Sequence, residues 1–383
     1  MKVHRRRNVR RSAFFLAAAF ALLFAVLLAH AQQTKSAAPA SKGAAQEELA
    51  GQVFKNIQSF KGEPASQLIP TMEFMASSLG VECEFCHDVK AFDKDTKEEK
   101  RTAREMIAMQ QSINRGHFRG QREVTCNTCH HGAQHPAAIP DLPALNAAIP
   151  EPAHEHLAHK PPQVAPGQYL DAYFHAAGGE AALAKLTART VHGTVSLHGG
   201  PALGFASFTR ANGERATSIA ISDGAALSVY DGHTGWLIYP GRHSRQMSAG
   251  EAEATRVEAD IAFPVNFKQR YPQLRVGRNE TIDGKPANLL LASRPGQPPV
   301  RLYFDAASHL LVRAVYYVET PLGRLPTQLD ITSYTETDGV QLPSHWTITQ
   351  PASRSIYTME SVASTPIDDR RFEPPKVAEA SAH

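Results

Sequence analysis

Cys83-Glu84-Phe85-Cys86-His87 and Cys126-Asn127-Thr128-Cys129-His130 decide how this chain is read. They are two copies of one pattern, Cys-x-x-Cys-His, and together they use all four cysteines of the 383 residues. Two thiols one short turn apart suit the two vinyl groups at a porphyrin edge, and the histidine that follows is carried under the ring to the iron. A zinc site would use the cysteine pairs but not the histidine after each. A redox dithiol wants a βαβ context, which neither box has. Two disulfides would suit an exported chain but leave the paired histidines without a role. Two covalently bound haem c groups use every element. They would sit on Cys83, Cys86, Cys126 and Cys129, with His87 and His130 as iron ligands.

Working outward, residues 1–31 read as a signal peptide. A basic start (Lys2, Arg5, Arg6, Arg7, Arg10, Arg11) precedes an apolar run from Ala13 to Ala29, and Ala29-His30-Ala31 offers a cleavage site. The competing reading is an uncleaved anchor, since 17 apolar residues reach the lower edge of a spanning helix. Membrane association is expected only in that case. The leader holds six basic residues and no acids, so its removal takes the net charge from +3 to −3. A slightly acidic mature chain is a poor nucleic-acid binder, and none is expected. The expected compartment is the periplasm.

The remainder reads as a multidomain α+β chain. Residues 32–50 are an Ala/Ser/Gln-rich tether. Residues 51–135 carry helical spacing and both boxes, an all-α dihaem cytochrome c module in which haem supplies much of the core. Val53, Phe54, Ile57 and Phe60 predict a first helix. Pro70 opens a second that runs through Met72, Met75 and Leu79 to a stop at Gly80. Thr96 to Asn114 predict a third, with Met106, Met109 and Ile113 as its apolar stripe. Residues 136–166 hold eight prolines and read as a linker. Its His154, His156 and His159 are read as solvated rather than as a metal site. Residues 167–383 open with a helix from Tyr169 to Leu186, broken at Gly178-Gly179. A mainly antiparallel β-sheet domain follows, curved or half-barrel. Its hairpins are marked by Asp223-Gly224, Asp231-Gly232, Asp283-Gly284 and Asp338-Gly339.

A carrier haem needs a sixth ligand, and helix-borne methionines precede each box. From spacing alone Met72 and Met106 are candidates, Met75 and Met109 their rivals one turn on, and all four are equally readable as core methionines. His117, His131 and His135 are weaker candidates. Glu82, Glu84 and Asp88 flank the first box, whereas Arg115, Arg119 and Arg122 precede the second. Negative charge stabilises ferric iron, so surface charge predicts the higher potential at the second box.

The stretch from Lys55 to Gly132 resembles the photosynthetic reaction-centre cytochrome c subunit family. The matching residues are Asn56-Ile57-Gln58, Leu68-Ile69-Pro70-Thr71-Met72, the first box, Ala103 to Met109, Ile113-Asn114, and Val124 to Gly132. The resemblance implies that Met72 and Met106 are axial ligands. Reaction-centre members carry four haems and are usually lipid-anchored. This chain has two boxes and no cysteine near the cleavage site, so it looks like a short two-haem, non-phototrophic relative. Residues 167–383 loosely resemble lipoprotein-carrier half-barrels, on the opening helix, the Asp-Gly hairpins and Pro321-Leu322-Gly323-Arg324-Leu325-Pro326. That resemblance implies a concave sheet able to hold an acyl chain. The alternative is a spacer or docking domain with an ordinary packed core.

No phosphate loop or nucleophilic serine elbow is present. Asp368-Asp369 stands before Arg370-Arg371 and reads as a salt-bridged pair. The expected function is an exported one-electron carrier between redox donor and acceptor proteins that the sequence does not identify, with no catalytic residues. The runners-up are a dihaem enzyme such as a peroxidase and an apolar-ligand or lipoprotein-binding protein with accessory haems.

Overall fold

The computed structural model describes residues 47–137, 164–241 and 244–374. The expected signal peptide, nearly all of the tether and most of the proline-rich linker, with its three histidines, lie outside the described residues.

The helical part opens with α1 (Ala50–Val53), a single turn. The predicted longer helix over Val53 to Phe60 does not form. Asn56 takes a left-handed conformation, φ 58°. Its amide donates to the Asp95 carboxylate at 2.8 Å and to the Asp93 carbonyl at 2.5 Å. A tie across 37 positions thus replaces the i→i−4 ladder, while Phe60 still reaches the core. Helix α2 (Leu68–Leu79) starts two residues before Pro70, which is tolerated in a first turn, and ends at left-handed Gly80, φ 65°. The first box forms α3 (Cys83–Cys86). Helix α4 (Glu98–His117) begins two residues later than expected, after an extended Lys97. The second box forms α5 (Cys126–His130).

Helix α6 (Pro166–Ala176) starts on a proline at its first position, and α7 (Glu180–Lys185) follows the Gly178-Gly179 break, both glycines at positive φ. The sheet begins with β1 (Ala188–Leu197), β2 (Ala202–Arg210), β3 (Arg215–Ile221), β4 (Gly224–Tyr230), β5 (Gly235–Ile238) and β6 (Arg245–Gln246). Two helices then interrupt it, α8 (Ala249–Ala262) and α9 (Asn266–Arg270). Neither was expected from the sequence, although Ser248-x-x-Glu251 is a capping box. The Ser248 Oγ accepts the Glu251 N–H, and the Glu251 carboxylate accepts the Ser248 N–H at 2.8 Å. The chain continues through β7 (Gln273–Val276), β8 (Glu280–Ile282), β9 (Lys285–Ser293), β10 (Val300–Asp305) and β11 (Leu311–Glu319). It ends with β12 (Arg324–Thr337), β13 (Val340–Gln350) and β14 (Ser353–Ala363).

All 14 strands join one antiparallel sheet in the order β6-β5-β4-β3-β2-β1-β14-β13-β12-β11-β10-β9-β7, with β8 on β9. Asp283-Gly284 and Asp338-Gly339 form two-residue turns, Asp231-Gly232 lies in the β4–β5 loop, and between β3 and β4 the turn is Ser222-Asp223, with Gly224 opening β4. At Asp283-Gly284 and Asp338-Gly339 both residues have positive φ, as a two-residue hairpin requires. The sheet curls without closing. The Glu258 carboxylate of α8 accepts from Tyr316 Oη on β11 at 2.7 Å and pairs with Arg215 on β3 at 3.3 Å. Those strands are six neighbours apart, roughly 29 Å in a flat sheet at about 4.8 Å per strand. One carboxylate reaches both only because the sheet wraps around α8. The apolar gap inside, lined by Leu170, Tyr173, Ile261, Phe267, Leu302 and Phe304 among others, has no room for a water molecule. Phe60, Leu68, Phe74 and Ile107 of the helical part share one hydrophobic core with Leu290, Leu302 and Tyr316 of the sheet.

Candidate haem-attachment sites

Each box is a single helical turn, so the two cysteines of a pair lie three residues apart on one face. No disulfide joins the four cysteines; Cys83 and Cys129 are exposed, Cys86 and Cys126 half-buried. Burial pushes the Cys126 thiol up to about 11 and raises Cys86. Reactive or metal-binding thiolates need the opposite shift. Among the described residues no three His, Cys, Asp or Glu side chains converge as a metal cluster, so the cysteines do not assemble a zinc site.

The histidines repeat one geometry. His87 Nδ1 lies 3.1 Å from the Phe92 carbonyl oxygen, and His130 Nδ1 lies 3.0 Å from the Ala133 carbonyl oxygen. A carbonyl only accepts, so both Nδ1 atoms carry the proton and both Nε2 atoms keep a free lone pair for a metal. Burial is the largest cause of the lowered pKa of His87, which favours the neutral, ligating form.

The turns that place those carbonyls differ. After the second box the chain leaves α5 through two left-handed residues, His131 at φ 49° and Gly132 at φ 83°. The Gly132 N–H donates to the Ser78 carbonyl at 2.9 Å, and Ala133 N–H to the His130 carbonyl. Gly80 is pressed against the same turn: a Cβ there would sit 2.1 Å from the Gly132 oxygen. After the first box, residues 88–97 wrap around Asp95. Its carboxylate takes both Arg104 guanidinium nitrogens at 2.9 Å, Lys100 Nζ at 3.1 Å and the Asn56 amide. These partners hold the Asp95 carboxyl well below the usual carboxylate range, the Arg104 hydrogen bond contributing most. Entry to the second box is clamped from α4. Asn114 accepts the Val124 N–H at 3.0 Å and donates to its carbonyl at 2.8 Å, and Gln110 donates to the same carbonyl.

Helix α2 packs against α5, and α4 against α3, so each methionine-bearing helix backs the box that follows the other. Met72 and Met75 are half-buried beside the shared core. Met106 and Met109 are exposed, 38% and 48%, with Ile107 buried on the opposite side of α4. Nine of the eleven large apolar side chains exposed among the described residues belong to residues 49–118. Apolar surface concentrated around two boxes is what a porphyrin would cover, so the residues fit the group. His117, His131 and His135 are exposed.

Residues 24–152 match the family described as photosynthetic reaction centre cytochrome C subunit. The resemblance read from Lys55 to Gly132 therefore holds, and both boxes lie within the matched residues. A photosynthetic reaction center cytochrome c subunit of Roseobacter denitrificans is 33% identical over 103 residues, 24% of this chain and 28% of that protein. The chain thus spans little more than a quarter of that relative's length. The sheet-bearing part is similar to a LolA superfamily protein from Nitrosomonas europaea (14% identity, 55% of this chain, 98% of that one, TM-score 0.40). It is also similar to a putative outer membrane lipoprotein-sorting protein domain from Vibrio parahaemolyticus (12%, 54%, 97%, TM-score 0.38).

Sequence reasoning missed the residues that hold the boxes: Asn56, Asp95, Lys100, Gln110 and Asn114. Asn56 and Asn114 were inside the matched motifs, but their partners were not inferable from spacing. It also missed the sheet's part in the second site. Arg122, four residues before Cys126, donates to the Thr320 carbonyl and pairs with Glu319 at 2.5 Å, both at the β11–β12 hairpin. A cleft of about 600 Å³ remains there, lined by Ser77, Thr125, Asn127, Arg324 and Pro326 among others.

Proposed function

We propose that this chain is an exported dihaem c-type cytochrome that passes single electrons between periplasmic redox proteins. The observation that carries the reading is the repeated histidine geometry: at both boxes Nδ1 donates to a backbone carbonyl three or five residues on, leaving the Nε2 lone pair free for a metal. Bound haem would supply the chemistry, a one-electron ferric/ferrous cycle at iron.

The chain's own residues bind, orient and insulate. Cys83 and Cys86, then Cys126 and Cys129, anchor one group each. His87 and His130 ligate from the box side. Met72 and Met106 are assigned as the opposite ligands, Met72 on half-buried α2 and Met106 on the exposed stripe of α4. The crossed packing suits this assignment, because α2 and α4, which would hold the groups through Met72 and Met106, are each supported by the other box. The sheet domain backs the second site through the Arg122 contacts with Thr320 and Glu319, and the apolar gap beside α6 has no room for a ligand.

Mass spectrometry of the denatured protein from a haem-maturing host should show two porphyrin adducts, and redox titration two one-electron waves. Met72→Ala and Met106→Ala should each move one wave. One adduct or none, or hydrogen-peroxide turnover by the wild type, would remove the carrier reading.

A further inference from the structure

Lys100 is a cation with no access to water worth the name. Its side chain is 10% exposed, and its three N–H donors are all taken, by the Phe92 carbonyl at 2.9 Å, the Lys94 carbonyl at 2.8 Å and Asp95 at 3.1 Å. The first of these acceptors is the carbonyl that receives His87 Nδ1–H at 3.1 Å. One oxygen therefore serves an ammonium and the axial histidine together. The matching carbonyl at the second box, that of Ala133, receives no lysine or arginine among the described residues.

The strength of the Nδ1–H···O=C bond sets how much electron density an imidazole passes to its metal. An ammonium on the same oxygen draws density out of the carbonyl, weakens it as an acceptor and makes the ring a poorer donor. A poorer donor stabilises ferric iron less. The local charge acts in the same direction: Lys100 and Arg104 against Asp95 leave one net positive charge beside the first box. Because Lys100 is buried, that charge is screened far less than surface groups are.

We infer that Lys100, acting through the Phe92 carbonyl, makes the haem at the first box the higher-potential one of the pair. This rests on the dihaem reading above and reverses the order that surface charge suggests. Of the three acids that favoured a low potential at the first box, Glu82 and Glu84 are exposed, and half-buried Asp88 accepts the Lys90 N–H at 3.0 Å. At the second box Arg115 and Arg119 are exposed, and Arg122 is neutralised by Glu319. Lys100 is a positioning residue, since it touches the carbonyl and not the ligand.

The test is redox titration of the holoprotein with Lys100→Met and Lys100→Arg. Lys100→Met should lower the higher midpoint by an amount approaching a tenfold change in the ferric/ferrous equilibrium, about 59 mV for one electron, and leave the lower midpoint in place. Lys100→Arg keeps the charge and should keep both midpoints. Movement of the lower midpoint, equal movement of both, or no movement in a protein carrying two haems overturns the inference. Fewer than two adducts in the wild type would instead sink the dihaem reading. Should Lys100→Met fail to fold, proton NMR of partly reduced wild type decides. The haem whose signals contact the Phe92 ring, which lies 5.2 Å from His87, should reduce first. Reduction of the other haem first would refute the assignment.

Discussion

Gly323→Ala should loosen the join between the sheet and the haem-bearing helices. Gly323 sits in the β11–β12 hairpin against the ring of Phe74 on α2. A Cβ at Gly323 would lie 2.1 Å from Phe74 Cζ and 2.3 Å from Cε2. Carbon atoms rest at roughly 3.5 Å or more, so one side must yield by about 1.4 Å. Neither side yields easily. Phe74 is 6% exposed in the shared core. The hairpin is cross-braced by buried Thr320, whose hydroxyl donates to the Gly323 carbonyl at 2.9 Å and accepts the Gly323 N–H at 3.0 Å. The Gly323 φ lies outside the left-handed region, so the substitution adds volume without backbone strain. Overpacking of this kind costs about 1–3 kcal/mol. Urea denaturation of the holoprotein, followed by the haem band and by far-UV circular dichroism, measures it. The control is a double-mutant cycle with Phe74→Ala, itself expected to cost about 3–5 kcal/mol. With the ring gone the alanine has space, so Gly323→Ala should cost less than about 0.5 kcal/mol in that background. An equal cost in both backgrounds would show that the contact with Phe74 is not the cause.

Gly80→Ala should destabilise more than Gly132→Ala. Both glycines are left-handed, each worth about 1–2 kcal/mol of strain, but only at Gly80 would the new Cβ also strike a backbone oxygen; equal losses in thermal melts would contradict the described turn. Asp260 is fully buried between Arg256, Arg270 and Tyr271. Asp260→Ala takes the carboxylate from Arg270, while Arg256 keeps Glu253 at 2.8 Å; it should cost at most about 3–5 kcal/mol by urea denaturation, and a loss under 1 kcal/mol would refute the pairing. The Asp95 carboxyl has a folded-state pKa below its unfolded one, so its contribution is fully present above the unfolded value of about 3.9 and lost as pH falls through the folded one. The stability gap between wild type and Asp95→Asn should therefore stay level from pH 7 to about 5 and narrow on further acidification; a gap that widens in acid would reverse the assigned shift.

What was legible in advance followed from chemistry carried by neighbouring residues. Cys83 to His87 and Cys126 to His130 carry the attachment signature in five positions each, and no fold is needed to see that pattern. Gly80 ending α2 and the Asp283-Gly284 and Asp338-Gly339 turns were equally readable, since each needs only the backbone freedom of one or two residues. Helix α8 is not legible in the sequence because its apolar positions, Ala254, Val257 and Ile261, are modest and nothing near its acids in the chain names their partners. Glu258 and Asp260 in fact face arginine and tyrosine partners inside the curl. The first helix was overcalled because Val53, Phe54, Ile57 and Phe60 keep helical spacing while Asn56 obeys a partner 39 positions away.

The amino-acid order by itself placed the two Cys-x-x-Cys-His boxes and put helices before strands. Only the folded chain decided what each box leans on: α2 behind the second, α4 behind the first, Lys100 on the Phe92 carbonyl, and Arg122 held by a hairpin 198 positions away. A covalent signature is local and survives in one dimension. Packing, screening and shared acceptors depend on distances in space, and those exist only after the sheet has wrapped around α8 and brought its hairpin to the haem-bearing helices.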